Sequence, residues 1–396
     1  MKKVLFIYPH MLLGGSTTSL LSLMNGMDPD EYQIDLQLQT NSGPLFEEIP
    51  KHINILPEAR KYSGFKGKVI KYLRFLLQGA AVKARLANLK KKKKGFSPDV
   101  VVDFIAKSLS KENKNHYDYA IGFLEGWSDR YLAYKVDADK KYAWMHSTFA
   151  NITDDPAAQL PWMEKVDKIV FVTDACTEDF KEALPEMADK AITVENVTDS
   201  DVIRKRSEAV DESDGAYKRF VDADCLKIVT VCRITVNVKG LDRIVNCAQK
   251  LRADGVDFLW YIIGDGTDEN VLKDLISATN VQDVLIPIGV RFNPYPFIKE
   301  ADIMCMPSRY EGRPMVITES MILGTPPIVT EYLSAHEQIR SGIDGIVVAN
   351  DDESIIGAVM KCAENTNEVK KMTDFLLDNE YGNKDYIKEI ETKLFV

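Results

Sequence analysis

Three short segments of this chain collect residue types suited to a phosphorylated, hydroxyl-rich ligand. The run Arg233-Ile-Thr-Val-Asn-Val-Lys239-Gly240 puts two cations on a loop after an apolar stretch, where they can neutralise a diphosphate. The same pair also reads as two solvated cations. A second run goes from Pro307-Ser308-Arg309-Tyr310-Glu311-Gly312 through Arg313-Pro314-Met315-Val316 to Glu319. Glu311 lies on a loop and Glu319 in the helix that follows, and carboxylates accept hydrogen bonds from sugar hydroxyls. Glu pairs eight apart are nonetheless common in so acidic a chain. The third run, Tyr8-Pro9-His10-Met11-Leu12-Leu13-Gly14-Gly15-Ser16-Thr17-Thr18, follows another apolar stretch and opens a helix. Its glycines and helix-start N–H groups form a phosphate cradle, or a plain strand-to-helix turn capped by Ser or Thr; both readings stand.

Trp144-Met145-His146-Ser147 ends a further strand and presents His146 beyond it, as a ligand contact or as a satisfied structural histidine. His10, His52, His116 and His336 share no metal-ligand spacing. Two Asp-x-Asp triplets, Asp137 to Asp139 and Asp222 to Asp224, each precede a strand, the wrong end for a ligand crevice, and read as solvated turns. Gly264-Asp265-Gly266 lacks the third glycine of a dinucleotide fingerprint. Six scattered cysteines without C-x-x-C spacing read as small buried hydrophobes in a reducing compartment.

Short β-branched runs alternate with helix-length amphipathic stretches, which predicts a parallel α/β architecture. The strands are expected at 4–8, 32–38, 53–56, 117–124, 141–145, 168–172 and 192–194 in the first half. In the second half they are expected at 226–231, 258–263, 284–288, 302–306, 327–329 and 345–348. The stretch 199–224 is poor in strand signals and marks a domain boundary, so each half forms an open doubly wound sheet with its own core. Domains are therefore expected at 1–198 and 199–375, followed by 376–396 with an amphipathic helix that caps its own domain or clamps the first.

The chain has 396 residues, 45% apolar and 28% charged, as expected of a soluble two-domain enzyme and not of a fibrous or disordered protein. No apolar run is long enough to span a membrane, and the N-terminal MKKVLFIYPH reads as a first strand, not a signal peptide. A cytoplasmic location is the expectation. The net charge of −10 conceals twelve Lys or Arg between residues 61 and 94, where no Asp or Glu occurs. An amphipathic helix is expected over 66–94, and its cations Lys68, Lys71, Arg74, Lys90, Lys91, Lys92, Lys93 and Lys94 suit an anionic membrane surface. A solvated basic face on a helix packed into its domain is the alternative. The acidic remainder disfavours nucleic acid as a partner.

Taken in order, these segments resemble retaining glycosyltransferases of the GT-B fold, family 4 type, and the resemblance is most specific in the second half. It rests on Val231-Cys232-Arg233, Lys239-Gly240-Leu241-Asp242, Ile263-Gly264-Asp265-Gly266, Pro307-Ser308-Arg309-Tyr310-Glu311-Gly312, Glu319-Ser320 and Gly324-Thr325-Pro326-Pro327-Ile328. Gly14-Gly15, Phe123-Leu124-Glu125-Gly126 and Trp144-Met145-His146-Ser147 look like bacterial capsule and exopolysaccharide members. The resemblance implies two Rossmann-like domains facing across a cleft, with a C-terminal helix crossing back to the first. It implies an N-terminal acceptor domain and a C-terminal donor domain for a nucleotide-diphosphate sugar, with uridine the expected base. Arg233 and Lys239 would neutralise the diphosphate, Glu319 would take the ribose and Glu311 the transferred sugar. Gly264, Met315 and Val316 would line the donor site, Val290 and Arg291 would edge the base through their backbone, Gly15 would approach the phosphate and His146 the sugar. No cofactor and no metal are expected. Arg313-Pro314 departs from the usual residues after Glu311-Gly312, and Cys232 stands where glycine is common. The implied reaction moves a hexose onto a lipid-linked glycan for a bacterial surface polysaccharide. A soluble small-molecule acceptor and a non-catalytic sugar-nucleotide-binding subunit are the alternatives, and a nicotinamide dehydrogenase is disfavoured by the missing fingerprint.

Overall fold

The computed structural model of the protein describes residues 1–61, 79, 83 and 98–395. The basic stretch 66–94, with Lys68, Lys71, Arg74 and Lys90 through Lys94, lies outside the described residues apart from Gly79 and Lys83. The chain divides into two compact units, Met1–Val197 with Asp385–Val396, and Thr198–Lys384.

The first unit is built on a seven-stranded sheet of β1 (Lys2–Tyr8), β2 (Tyr32–Leu38), β3 (Asn54–Ile55), β4 (His116–Gly122), β5 (Asp137–Met145), β6 (Lys168–Phe171) and β7 (Ala191–Thr193). Every pairing in it is parallel, in the order β3-β2-β1-β4-β5-β6-β7. Strands covered on both faces are continuously apolar, as Val4 to Ile7 are, all fully buried. The order reverses between β1 and β4, so the loops after those two strands diverge and leave a crevice at their carboxyl ends. The helix Ile387–Leu394 belongs to this unit. Ile387, Ile390, Leu394 and Phe395 enter its core, and the Tyr142 hydroxyl donates to the Leu394 carbonyl at 2.6 Å.

The second unit carries a six-stranded parallel sheet of β8 (Leu226–Val231), β9 (Phe258–Ile263), β10 (Leu285–Gly289), β11 (Ile303–Met306), β12 (Pro327–Thr330) and β13 (Ile346–Val348). Its order is β10-β9-β8-β11-β12-β13, and the reversal lies between β8 and β11. Pro287 lies in edge strand β10, where its missing N–H costs no ladder bond, and the register shifts beside it. The helix Leu241–Ala253 buries Leu241, Ile244, Val245, Ala248 and Leu251, a helical stripe that covers one sheet face.

Each expected strand is present, with ends moved by a few residues where edge pairing decides the boundary. The stretch 199–224 belongs to the second unit. It folds into the helices Ser200–Ser207 and Gly215–Val221, capped by Asp199 and Asp214, whose Ile203 and Phe220 are buried in the second unit. The units divide at 197/198 and 384/385, whereas the sequence places divisions at 198/199 and 375/376. The difference at the second division arises because the helix Thr366–Leu377 and the segment up to Lys384 pack in the second unit, with Asn383 accepting from the Thr198 N–H at 2.7 Å.

Candidate active site

In the second unit the loops after β8 and β11 flank the reversal point and carry the residues of the first two motifs. The loop after β8 is fastened at both ends of its turn. Ile234 N–H donates to the Asp265 carbonyl at 2.6 Å, and Val236 N–H donates to Asp268 Oδ2 at 2.9 Å. A short helix, Val236–Lys239, then lifts Lys239 toward the neighbouring loop. Arg309 closes the other side: its guanidinium binds Asp242 through two bonds of 2.8 and 2.7 Å and the Asn237 carbonyl through a third of 2.8 Å. Buried Arg243 adds a bond to the Asn350 carbonyl at 2.9 Å. These fork-shaped contacts fix two loops from distant parts of the sequence in one register.

That register brings Lys239 and Glu311 together, Nζ to Oε1 at 2.5 Å, with both side chains largely buried. Expected as a diphosphate cation and a sugar carboxylate, they are each other's partners in this structure. Arg233 is exposed at the same sheet edge and, among the described residues, its guanidinium has no ion pair. The Cys232 thiol beside them is driven up to about 12, chiefly by desolvation, with Glu311 adding to the shift and Lys239 opposing it.

The helix Met315–Ile322 begins after Pro314, which is extended and provides no side-chain cap. The first-turn N–H groups of Met315 and Val316 are therefore open to an anion or solvent. Glu319, one turn deeper, is 8% exposed and accepts from the Tyr295 hydroxyl at 3.1 Å. Burial raises its pKa to about 7, against the pull of the Tyr295 bond and the Arg206 charge. Gly264 N–H donates to the Gly289 carbonyl at 3.1 Å, which ties the loops after β9 and β10 together. In the second of these, Val290 is exposed, and Arg291 turns its guanidinium onto Asp214, Nε to Oδ2 at 2.6 Å. The Arg291 side chain is thus structural, and only its backbone is left for a ligand.

In the first unit the Gly14-Gly15 turn follows β1, and Gly15 opens the helix Gly15–Gly26 without a side-chain cap. Tyr8 braces this turn from below through Ser16 Oγ at 2.7 Å and Thr17 Oγ1 at 3.1 Å. His146 follows β5. Its Nε2 faces the Phe123 carbonyl at 3.1 Å, which can only accept, so that nitrogen carries the proton and Nδ1 is the free acceptor. Burial lowers the His146 pKa and keeps the ring neutral. Glu125 accepts from the His146 N–H at 2.9 Å and the Ser147 hydroxyl at 2.7 Å.

Tyr295, Arg206 and Glu125 as a clamp on His146 were not legible in the sequence, because each acts on a partner far along the chain with no spacing to mark it. Asp222 and Asp224 precede β8 as expected, whereas Asp137 and Asp139 lie not in a turn but within β5, which starts earlier than expected, and face His116 on the neighbouring strand. The cysteines are all free. Cys176, Cys247, Cys305 and Cys362 are buried, whereas Cys225 and Cys232 are only half-buried, contrary to the expectation.

Residues 220–375 match the model of the glycosyl transferases group 1 family. Over that stretch, which lies within the second unit, the chain is similar to group 1 glycosyltransferases. Among curated relatives, the putative colanic acid biosynthesis glycosyltransferase WcaL of Salmonella typhimurium is 30% identical over 143 residues, 34% of this chain and 34% of that protein. The UDP-Gal:alpha-D-GlcNAc-diphosphoundecaprenol alpha-1,3-galactosyltransferase of Escherichia coli is 29% identical over 110 residues, 27% of this chain and 28% of that one. The chain thus spans about a third of the length of the first of these relatives. The Anabaena HepE protein, solved with UDP and glucose, superposes over 100% of this chain and 99% of its own at 12% identity with a TM-score of 0.69. The fold is of the GT-B type, built from two Rossmann-like units.

Proposed function

We propose that this protein is a retaining glycosyltransferase that moves a hexose from a nucleotide-diphosphate donor, with UDP as the nucleotide, to a glycan acceptor. The observation that carries this reading is the Lys239–Glu311 pair beside exposed Arg233, at the point where the strand order of the second unit reverses. An incoming donor separates that pair: its diphosphate takes Lys239 and Arg233, and its sugar hydroxyls take Glu311. Two cations on the diphosphate stabilise the charge that grows as the bond from anomeric carbon to phosphate oxygen breaks. The acceptor oxygen bonds to that carbon on the same face, and its proton passes to the departing phosphate oxygen, which gives retention. Glu319 takes the ribose, and the first-turn N–H groups of Met315 and Val316 take phosphate oxygens. Protein cations supply the charge that a metal supplies elsewhere, so we propose a metal-independent reaction.

For the acceptor we propose a lipid-linked glycan of a bacterial surface polysaccharide, reached from the cytoplasmic face of the membrane. The names of the two curated relatives and the basic stretch 61–94 support this. Among the described residues no helix is long and apolar enough to cross a membrane. Neutralising Lys90 through Lys94 is expected to abolish binding to anionic vesicles, and unchanged binding removes the membrane from the reading.

The central test is calorimetry with UDP, GDP, ADP and NAD without added metal. Selective binding of one nucleoside diphosphate is expected, weakened about ten- to hundredfold in Arg233→Ala and in Glu319→Gln, as for lost charge-assisted bonds. Failure of every diphosphate to bind the folded protein overturns the assignment.

A further inference from the structure

Arg206 stands in the last turn of the helix Ser200–Ser207, ahead of the stretch 220–375 that matches the family model. It is half-buried, and among the described residues it forms no ion pair. Nearby cations differ: Arg291 is spent on Asp214 and Lys299 on Glu208. The Arg206 guanidinium turns to the loop after β10 instead. Nη2 donates to the Phe292 carbonyl at 2.9 Å, and Cζ lies 5.6 Å from the Phe292 ring centroid and 5.0 Å from that of Tyr295. Asn293 returns the contact, its Nδ2 donating to the Arg206 carbonyl at 2.7 Å and the Ala209 carbonyl at 3.1 Å. From the Tyr295 ring the chain of contacts continues through its hydroxyl to Glu319 Oε1 at 3.1 Å. A cation over an aromatic face attracts the ring and holds it in place, and a ring held in place aims its hydroxyl at one carboxylate oxygen, leaving the other for a ligand.

We propose that Arg206 is a positioning residue for the nucleoside half of the donor, fixing the loop beside the base and the Tyr295–Glu319 pair that takes the ribose with one guanidinium. The inference rests on the nucleotide-site reading above and extends the working site to a residue outside the stretch that matches the family model. Tyr295 and Arg206 are the titratable and charged groups that face Glu319. Removing the cation therefore makes the Glu319 carboxylate harder to form and moves the pH at which ribose binding is complete to higher values.

The test is UDP affinity between pH 5.5 and 8.5 for the full chain and for Arg206→Met, Arg206→Lys and Glu319→Gln, each checked for an unchanged thermal transition. The phosphate titration of UDP is common to all and cancels in the comparison. In Arg206→Met, UDP is expected to bind about tenfold more weakly, with the pH midpoint raised by about one unit. Arg206→Lys keeps the charge, so its midpoint returns to the wild-type value while affinity remains reduced by about threefold or more, because the planar guanidinium that bonds the Phe292 carbonyl and lies against the Phe292 and Tyr295 rings is lost. If Glu319→Gln weakens UDP but Arg206→Met stays within twofold of wild type with an unmoved midpoint, the inference is overturned and the nucleotide site stands. If Arg206→Met does not fold, wild-type affinity in Arg206→Lys overturns it. Absence of UDP, GDP and ADP binding to the wild-type protein overturns both.

Discussion

Glu319 shows how one burial step sets the behaviour of a residue. Its carboxyl has an ordinary pKa of 4.5 and is raised to about 7 by desolvation in the folded protein. A raised native pKa means that the folded state holds the proton more tightly than the unfolded one. The stability this group contributes is complete below about pH 4.5 and is lost as pH climbs through about 7. Glu319→Gln keeps an acceptor for Tyr295 and removes the titration. Between pH 5 and pH 8 the wild type is expected to lose about 1–3 kcal/mol relative to this variant. Urea unfolding of the two proteins at both pH values measures it, and parallel curves dismiss the shift. For Lys239 and Glu311 the informative fact is their mutual contact, which the proposed donor must break.

At the scale of elements, the site depends on how closely the loop after β8 approaches the loop after β11. Gly240 joins the helix Val236–Lys239 to Leu241–Ala253 with φ of +63°, and a Cβ there would lie 2.1 Å from the Pro307 carbonyl oxygen. Gly255 has a similar φ of +75° but open space around the same point. Gly255→Ala therefore measures backbone strain alone, about 1 kcal/mol. Gly240→Ala adds a clash with a rigid backbone and is expected to cost about 2–4 kcal/mol. It is also expected to weaken nucleoside diphosphate binding by pulling Lys239 off its loop. Equal unfolding midpoints for the two variants would show that the loops adapt and that the approach is not tight.

For the whole molecule, the two compact units place the C-terminal helix in the core opposite to the one its sequence neighbours occupy. Four apolar side chains, Ile387, Ile390, Leu394 and Phe395, are buried there against Tyr32, Tyr119 and Tyr142. Burial of this kind is worth about 1.5–3 kcal/mol per side chain, so their sum rivals the stability of a typical domain. Removal of residues 385–396 is expected to leave the first unit unfolded or aggregated at 25 °C. Leu394→Ala, a milder change, is expected to cost about 2–5 kcal/mol and to lower the calorimetric transition by several degrees. A truncated chain that melts like the full one would show that the helix adds nothing to that core.

The strands were legible in local composition, because parallel strands covered on both faces must be apolar in short runs, as in Phe258–Ile263, whatever their neighbours. The sequence also marked the loops proposed to bind the donor, since Arg233 and Lys239 come after β8 and Glu311 after β11. Strand order was not legible, because hydrogen-bond partners in a parallel sheet leave no mark on local composition. Only the tertiary structure put β8 beside β11 and so set Lys239 against Glu311 across 72 residues of chain. Arg206 and Tyr295 reached Glu319 by the same route, and Glu125 reached His146 so in the other unit. These contacts depend on register and packing, which are properties of the assembled sheet and not of any segment within it.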